Sequence, residues 1–358
     1  MRVLFLANHR PGRSPAQRFR FEQYLSYLES RGIECHFSWL ISESDDVTFY
    51  KGSVSQKLLL ASRAFKKRFL ELFNGVVRNA DIIFVSREAL FFGPPLFEYL
   101  AYRLKKKIIF DFDDAIWLSP VSHYNQKFSW AKWPTKTDSL LRLSHLVVAG
   151  NDYLADYAKA FSENVEIIPT TINVDRYVPN SLRRSGPVRI GWSGSFSTIS
   201  HFESILPALL HIKREFGEQV EFILIGDQYY SNIKLNITAL PWNLMSEISD
   251  LHKFDIGLMP LPDDDWAKGK CGLKGLQYMA LGIPTIMSPV GVNRGIIRDG
   301  VNGFLATTQD EWIAKLRLLV SNGDMRDKLG AAGRLTVLSD YSVHRWKDQF
   351  LNLIHSVL

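Results

Sequence analysis

Cysteine is nearly absent from this sequence: Cys35 and Cys271 are the only two in 358 residues. They stand far apart and neither has a metal-ligand spacing. A disulfide scaffold and a cysteine-rich metal site are thereby excluded, and a reducing cytoplasm is the expected compartment. Long apolar runs are missing too. No stretch approaches the roughly 18–20 uncharged apolar residues of a membrane span. The opening MRVLFLANHRPGR is too short in its apolar run for a signal peptide and has no small-residue cleavage site, so it reads as a buried first strand. No G-x-x-x-x-G-K-[ST] motif occurs, which argues against a P-loop nucleotide hydrolase. Short-period repeats and low-complexity tracts are absent as well.

What is present is apolar material for two cores. Hydrophobic residues make up 46% of a chain whose length favours two domains over one. The net charge is +6 and uneven, with 23 Lys and Arg against 18 Asp and Glu in residues 1–170. Residues 51–78 hold seven basic residues and a single acid, Glu71. Such a surface invites anionic partners: phospholipid headgroups, pyrophosphates or nucleic acid. A nucleic-acid module with interleaved aromatics is not recognisable, so no nucleic-acid partner is expected.

The first half alternates strand and helix signals. RVLFLA (2–7), IECHFSW (33–39), DIIFV (81–85), KIIFDF (107–112), HLVVA (145–149) and VEII (165–168) read as strands, with residues 16–30 and 54–73 among the helices between them. A polar stretch with two prolines, 171–187, reads as a linker. The pattern then restarts at VRIGW (188–192), EFILIG (221–226), DIGLMP (255–260), PTIMS (284–288) and GFLA (303–306). Strands alternating with helices predict parallel βαβ units. The expected class is α/β, with two doubly wound Rossmann-like domains facing a cleft. The first spans 1–170 and the second 188–340. An amphipathic terminal helix, 341–358, is expected to cross back to the first domain.

Two loops at strand ends in the second half suit an anion. GWSGSFST (191–198) offers the backbone N–H groups of Gly194 and Ser195 and the hydroxyls of Ser195, Ser197 and Thr198. It also reads simply as a tight turn, with Ser197 or Thr198 as a helix N-cap. In GKCGLKGLQYMALGIPT (269–285), Gly272 and Leu273 open a helix between Lys270 and Lys274. Lysines in a first helical turn oppose the helix dipole, and a bound anion relieves that conflict. Two solvated surface lysines are the plainer alternative.

The run CGLKGLQYMALGIPTIMSPVGVNRGIIRDGVNGFLA, residues 271–306, resembles the donor-site signature of the family 4 (group 1) glycosyltransferases. The resemblance implies a retaining sugar-nucleotide enzyme of the GT-B fold, and it extends through the two-half architecture more weakly to the rest of the chain. It implies that Lys270 and Lys274 carry the diphosphate charge, because the family's basic pair is not evident in GWSGSFSTIS. The family's two glutamates fall on Gly269 and Gln277. Gln277 can still hydrogen-bond a ribose, whereas Gly269 has no side chain. Asp263, Asp264 and Asp265 stand just upstream as stand-ins, and Gly295 replaces a third acid. No cofactor is implied, since the nucleotide sugar is a substrate, and no divalent metal is required.

Asp111-Phe112-Asp113 in the first half and Asp263–Asp265 in the second match the D-x-D pattern of a metal site, but a fold with a single such nucleotide-binding sheet needs no second doubly wound domain, which disfavours a metal there. Asp113 and Asp114 at a strand end read either as groups that orient or deprotonate an acceptor hydroxyl or, for Asp114, as a turn cap. The loop NHRPGRSPAQRFR offers Gly12, Arg13, Arg18 and Arg20 to a phosphate, or else plain solvated arginines. His9 and His123 are further candidates. Residues 54–73 form a basic amphipathic helix, suited to an anionic membrane or to the sheet. The expectation is a hexosyltransferase acting from a nucleotide sugar on a glycan or lipid-linked saccharide, cytoplasmic and in peripheral contact with a membrane. The rival is a catalytically weak or inactive nucleotide-sugar-binding relative.

Overall fold

The computed structural model describes residues 1–118, 133, 135–180 and 186–358. His123 and part of the expected linker lie outside the described residues. The chain divides into two compact units, Met1–Thr170 with Trp346–Leu358, and Thr171–Arg345.

The first unit holds β1 (Arg2–Leu6), β2 (Glu34–Ser38), β3 (Ile82–Ser86), β4 (Lys107–Phe112), β5 (Leu146–Ala149) and β6 (Val165–Ile167). They form one parallel sheet in the order β2-β1-β3-β4-β5-β6. The central runs are apolar throughout because helices cover both faces; β3 is buried at every position. The helix Val54–Phe73 begins at Ser53 with a capping box, its hydroxyl paired with Gln56. The stretch 16–30 is not one helix. It breaks into Pro15–Arg18, a 3₁₀ turn Glu22–Tyr24 and Leu25–Ser30. At the break, the buried Arg20 leaves the local surface to pair with Asp111 at 2.5 Å, on β4. The terminal helix is Val343–Ser356. Within the first unit its Phe350 stacks on Tyr24, ring centroids 4.5 Å apart and nearly coplanar at 9°.

The second unit holds β7 (Val188–Ser193), β8 (Val220–Gly226), β9 (Thr238–Pro241), β10 (Ile256–Met259), β11 (Thr285–Met287) and β12 (Phe304–Leu305). Their parallel order is β12-β11-β10-β7-β8-β9. The sequence pattern misses β9, a partly exposed edge strand without an apolar run. Ile190, Leu224, Leu258 and Ile286 from four strands meet Trp192 and Trp312 in the core. Residues 171–180 are tied into this unit: Ile172 bridges Ser342, and Arg334 donates to the carbonyls of Val174 and Tyr177.

Candidate functional site

In the second unit the strand order reverses between β7 and β10. Ligands of open parallel sheets collect at the carboxyl ends of strands flanking such a point. The loop after β7 is Gly194–Ser197. The chain after β10 runs through a short helix, Asp265–Lys268, to Gly269–Gly272 and the helix Leu273–Ala280. The fold thus brings together the two stretches that the sequence marks.

The helix Leu273–Ala280 starts at Gly272, whose φ of +71° is left-handed. A Cβ there would also lie 2.3 Å from Ile296 Cδ1. Three polar side chains on this helix then reach three different places. The Lys274 ammonium sits 4.4 Å from the centroid of the Trp192 ring. Tyr278 Oη accepts the Ser193 N–H at 2.9 Å and lies 2.7 Å from Ser193 Oγ, which pins the end of β7. Gln277 is buried and donates to Tyr177 Oη at 2.8 Å. The Tyr177 hydroxyl in turn donates to Glu247 at 2.7 Å, and Trp242 Nε1 donates to the other carboxylate oxygen at 2.9 Å.

One expectation is corrected here. The Gly194 N–H is not presented to a phosphate, because it donates to the Ile225 carbonyl at 2.9 Å. Gly194 serves by lacking a side chain. A Cβ would fall 2.3 Å from the Trp192 ring and 2.7 Å from Lys274 Nζ. Its carbonyl is itself approached closely by Gly226, where a Cβ would come within 1.6 Å. Ser195 and Ser197 are exposed, with hydroxyls 2.8 Å apart.

The electrostatics are one-sided. Lys274 is half-buried, and burial first, then the Lys270 charge, lower its pKa to about 7. No carboxylate pairs with Lys274 among the described residues. Lys270 lies over Trp266 at 4.8 Å. His201, on the helix Ile199–Glu203, is a group that the sequence reading missed. Burial, then Lys274 and Lys270, lower its pKa to about 4. Its Nδ1 is buried without a hydrogen-bond partner. A lone histidine eight residues past β7 carries no motif; only the fold shows its neighbours. Two lysines, a histidine and a helix N-terminus converge with little acid to balance them, which is the electrostatic form of an anion site.

The acids expected nearby are occupied elsewhere. Gly269 caps the short helix Asp265–Lys268 at its C-terminus, at an ordinary φ of −72°. Asp264 caps the same helix by accepting the Ala267 N–H at 2.7 Å, and Asp265 pairs with Lys268 at 3.0 Å. Asp263 is exposed. Gly295 lies in the helix Asn293–Ile296 with open space where a side chain would be.

In the first unit, Asp113 and Asp114 sit just past β4 and share Arg87, which reaches them at 2.6 and 2.5 Å. Burial opposes the charge on Arg87, but the two carboxylates outweigh it and raise the arginine's pKa. Asp111 is taken by Arg20, so the two acids of the first D-x-D pattern answer two different arginines. Gly12 donates its N–H to Glu22 at 2.8 Å, and Arg13 binds Asp46 at 3.1 Å. Arg18 is buried over the Phe19 ring at 4.9 Å. Burial, then Arg13, lower the His9 pKa to about 4. The structure therefore groups Gly194, Ser195, Ser197, Lys270, Gly272, Leu273 and Lys274 in one unit. Gly12, Arg13, Arg18, Asp113 and Asp114 belong to the other.

Residues 187–322 match the family described as glycosyl transferases group 1. Over 160 residues the chain is 29% identical to the O-antigen biosynthesis protein RfbC of Myxococcus xanthus, a match that covers 42% of this chain and 12% of that protein. The chain thus spans only a small part of the length of that curated relative. A sucrose-phosphate synthase from Thermosynechococcus elongatus superposes with a TM-score of 0.73 at 13% identity, covering 99% of this chain and 98% of that one. HepE of Anabaena, solved with UDP and glucose, superposes with a TM-score of 0.67 at 14% identity, covering 99% and 100%. At such identity the superpositions speak for the fold. Residues 187–322 thus resemble the group 1 glycosyltransferases, and the chain as a whole has the GT-B fold of two Rossmann-like units.

Proposed function

We propose that this protein is a retaining glycosyltransferase that moves a hexose from a nucleotide sugar to a glycan or lipid-linked saccharide, without a metal ion. The observation that carries this reading is Lys274: a half-buried ammonium beside Lys270, His201 and a helix N-terminus, with no carboxylate paired to it among the described residues. Breaking an anomeric bond leaves negative charge on a nucleoside diphosphate. Fixed cations and N–H dipoles aimed at that charge lower the barrier. Lys270 and Lys274 supply the cations, Leu273 and the following amides supply the dipoles, and Ser195 and Ser197 border the phosphates. A reaction that retains configuration by same-face entry, with a donor phosphate oxygen taking the acceptor's proton, needs no enzymic nucleophile. A glycine at 269 is compatible with that route. Asp113 and Asp114 are held in place by Arg87, so their role in this reading is to orient an acceptor hydroxyl.

A specific observation favours the rival of a weak or inactive relative. Gln277 is turned to Tyr177 rather than left open for a ribose. A thermal-shift screen of UDP-, GDP- and other nucleotide sugars, followed by transfer and donor-hydrolysis assays, tests both readings. Stabilisation and turnover with one donor support the enzyme. Binding without turnover supports the rival, and stabilisation by none overturns both.

A further inference from the structure

The helix Val54–Phe73 buries one face through Leu60, Ala64 and Leu72, and anchors it with the buried Arg68–Glu71 pair at 2.7 Å. The opposite face of such a helix is ordinarily polar. Here it is not. Val54, Leu58, Phe65, Phe69 and Phe73 are all exposed, Phe73 by 70%. Their spacing sets them along one line of the helix. The three rings form a continuous ladder, Phe65 to Phe69 at 6.1 Å and Phe69 to Phe73 at 5.1 Å. Scattered apolar residues on a surface are ordinary, whereas a contiguous row marks an interaction site.

Charge identifies the occupant. Lys66 is exposed on the same helix and pairs with no carboxylate among the described residues, while the neighbouring Lys67 donates to the Trp39 carbonyl at 2.5 Å and lies over the Trp39 ring. Arg63 stands beside them, paired with Asp45 at 2.6 Å. The helix has one acid, Glu71, and that one is buried. A second copy of this chain would bring the same cations against these. An anionic phospholipid surface instead matches the apolar ladder with its acyl region, and Lys66 and the net basic charge of the helix with its headgroups. We propose that this face of the helix docks on an anionic membrane surface, with Phe65, Phe69 and Phe73 inserted at the headgroup boundary. The proposal deepens the reading of a lipid-linked acceptor and rests on it for its purpose, yet its test is independent of donor chemistry.

The test is co-sedimentation of the full chain with mixed phosphatidylglycerol–phosphatidylcholine vesicles and with pure phosphatidylcholine vesicles. The wild type is expected to bind the first and not the second, and to be released by salt. The triple variant F65S/F69S/F73S should bind the mixed vesicles on the order of 100-fold less. K66E should weaken binding several-fold without touching the ladder. All variants alter exposed side chains, so unchanged circular dichroism and unchanged stabilisation by a nucleotide sugar separate a docking defect from misfolding or a failed donor site. Unchanged binding by the triple variant, or no binding of the wild type to anionic vesicles, overturns the proposal. So does a wild-type dimer in solution that the triple variant dissolves, which would assign the face to a second copy.

Discussion

The Lys274 ammonium rests 4.4 Å from the centroid of the Trp192 indole, and this contact joins the helix Leu273–Ala280 to the end of β7. A cation over an aromatic face gains about 0.5–2 kcal/mol. That is less than the cost of keeping an unpaired ammonium half-buried beside Lys270, and the pKa of about 7 expresses the difference. A diphosphate supplies the missing counter-charge. Lys274→Met keeps the stem's packing on Trp192 and removes the charge. It is expected to lower turnover by about 10²–10³ and to abolish stabilisation by the nucleotide sugar, while the ligand-free melting temperature holds or rises. Unchanged kinetics would remove Lys274 from the reaction.

The same lysine gives a pH dependence with a defined sign. Its ordinary pKa is about 10.4, so between about 7 and 10.4 the folded, empty protein binds fewer protons than the unfolded chain. Ligand-free stability should therefore rise with pH across that window, the full penalty being present below it. A nucleotide sugar prefers the charged ammonium. Its affinity should fall as pH rises above about 7, by up to about tenfold per unit, until the pKa of the complex is reached. Calorimetric titration at several pH values checks this. A flat profile in the wild type, or a sloping one retained in Lys274→Met, contradicts it.

Gly226 has a backbone argument of its own. Its φ of +133° lies where side chains are strained, and an added Cβ would meet the Gly194 carbonyl oxygen at 1.6 Å. The neighbour is backbone and cannot swing aside. Gly226→Ala should cost about 2–4 kcal/mol in urea unfolding and push the loop after β7 away from Lys274. Loss of nucleotide-sugar binding should accompany it. A variant with native stability and native binding would mean that the loop shifts freely.

The sequence pattern made most of this fold legible. Of the twelve strands among the described residues, ten announce themselves as short apolar runs, because strands covered on both faces need no alternation, and Glu34–Ser38 shows as alternation instead. The edge strand Thr238–Pro241 has no such run, and the 16–30 helix breaks because Arg20 answers Asp111, a partner 91 residues away. At the site, the lysines and glycines of 269–275 could be read from helix-end chemistry alone. Two things could not. The Gly194 amide is consumed by Ile225 on the adjacent strand, and His201 meets Lys274 only after the β7 and β10 loops converge. Both are long-range facts, and local spacing carries no trace of them.

Gln277 separates a ribose contact from a structural one. Its amide donates to Tyr177 Oη, and that hydroxyl is already donating to Glu247. Gln277→Glu restores the acid that the family resemblance expects, but it removes the donor. The Tyr177 hydroxyl then faces two carboxylates with one proton to give, inside a buried network. Such a group left unsatisfied costs about 1–3 kcal/mol. The new carboxyl should titrate above its ordinary value, so the variant should match the wild type at low pH and lose stability as pH rises through that raised pKa. Urea unfolding across pH reads this directly. If Gln277→Glu is as stable as the wild type at neutral pH and turns over faster, the glutamine is a weakened ribose ligand and not a structural tie to Tyr177.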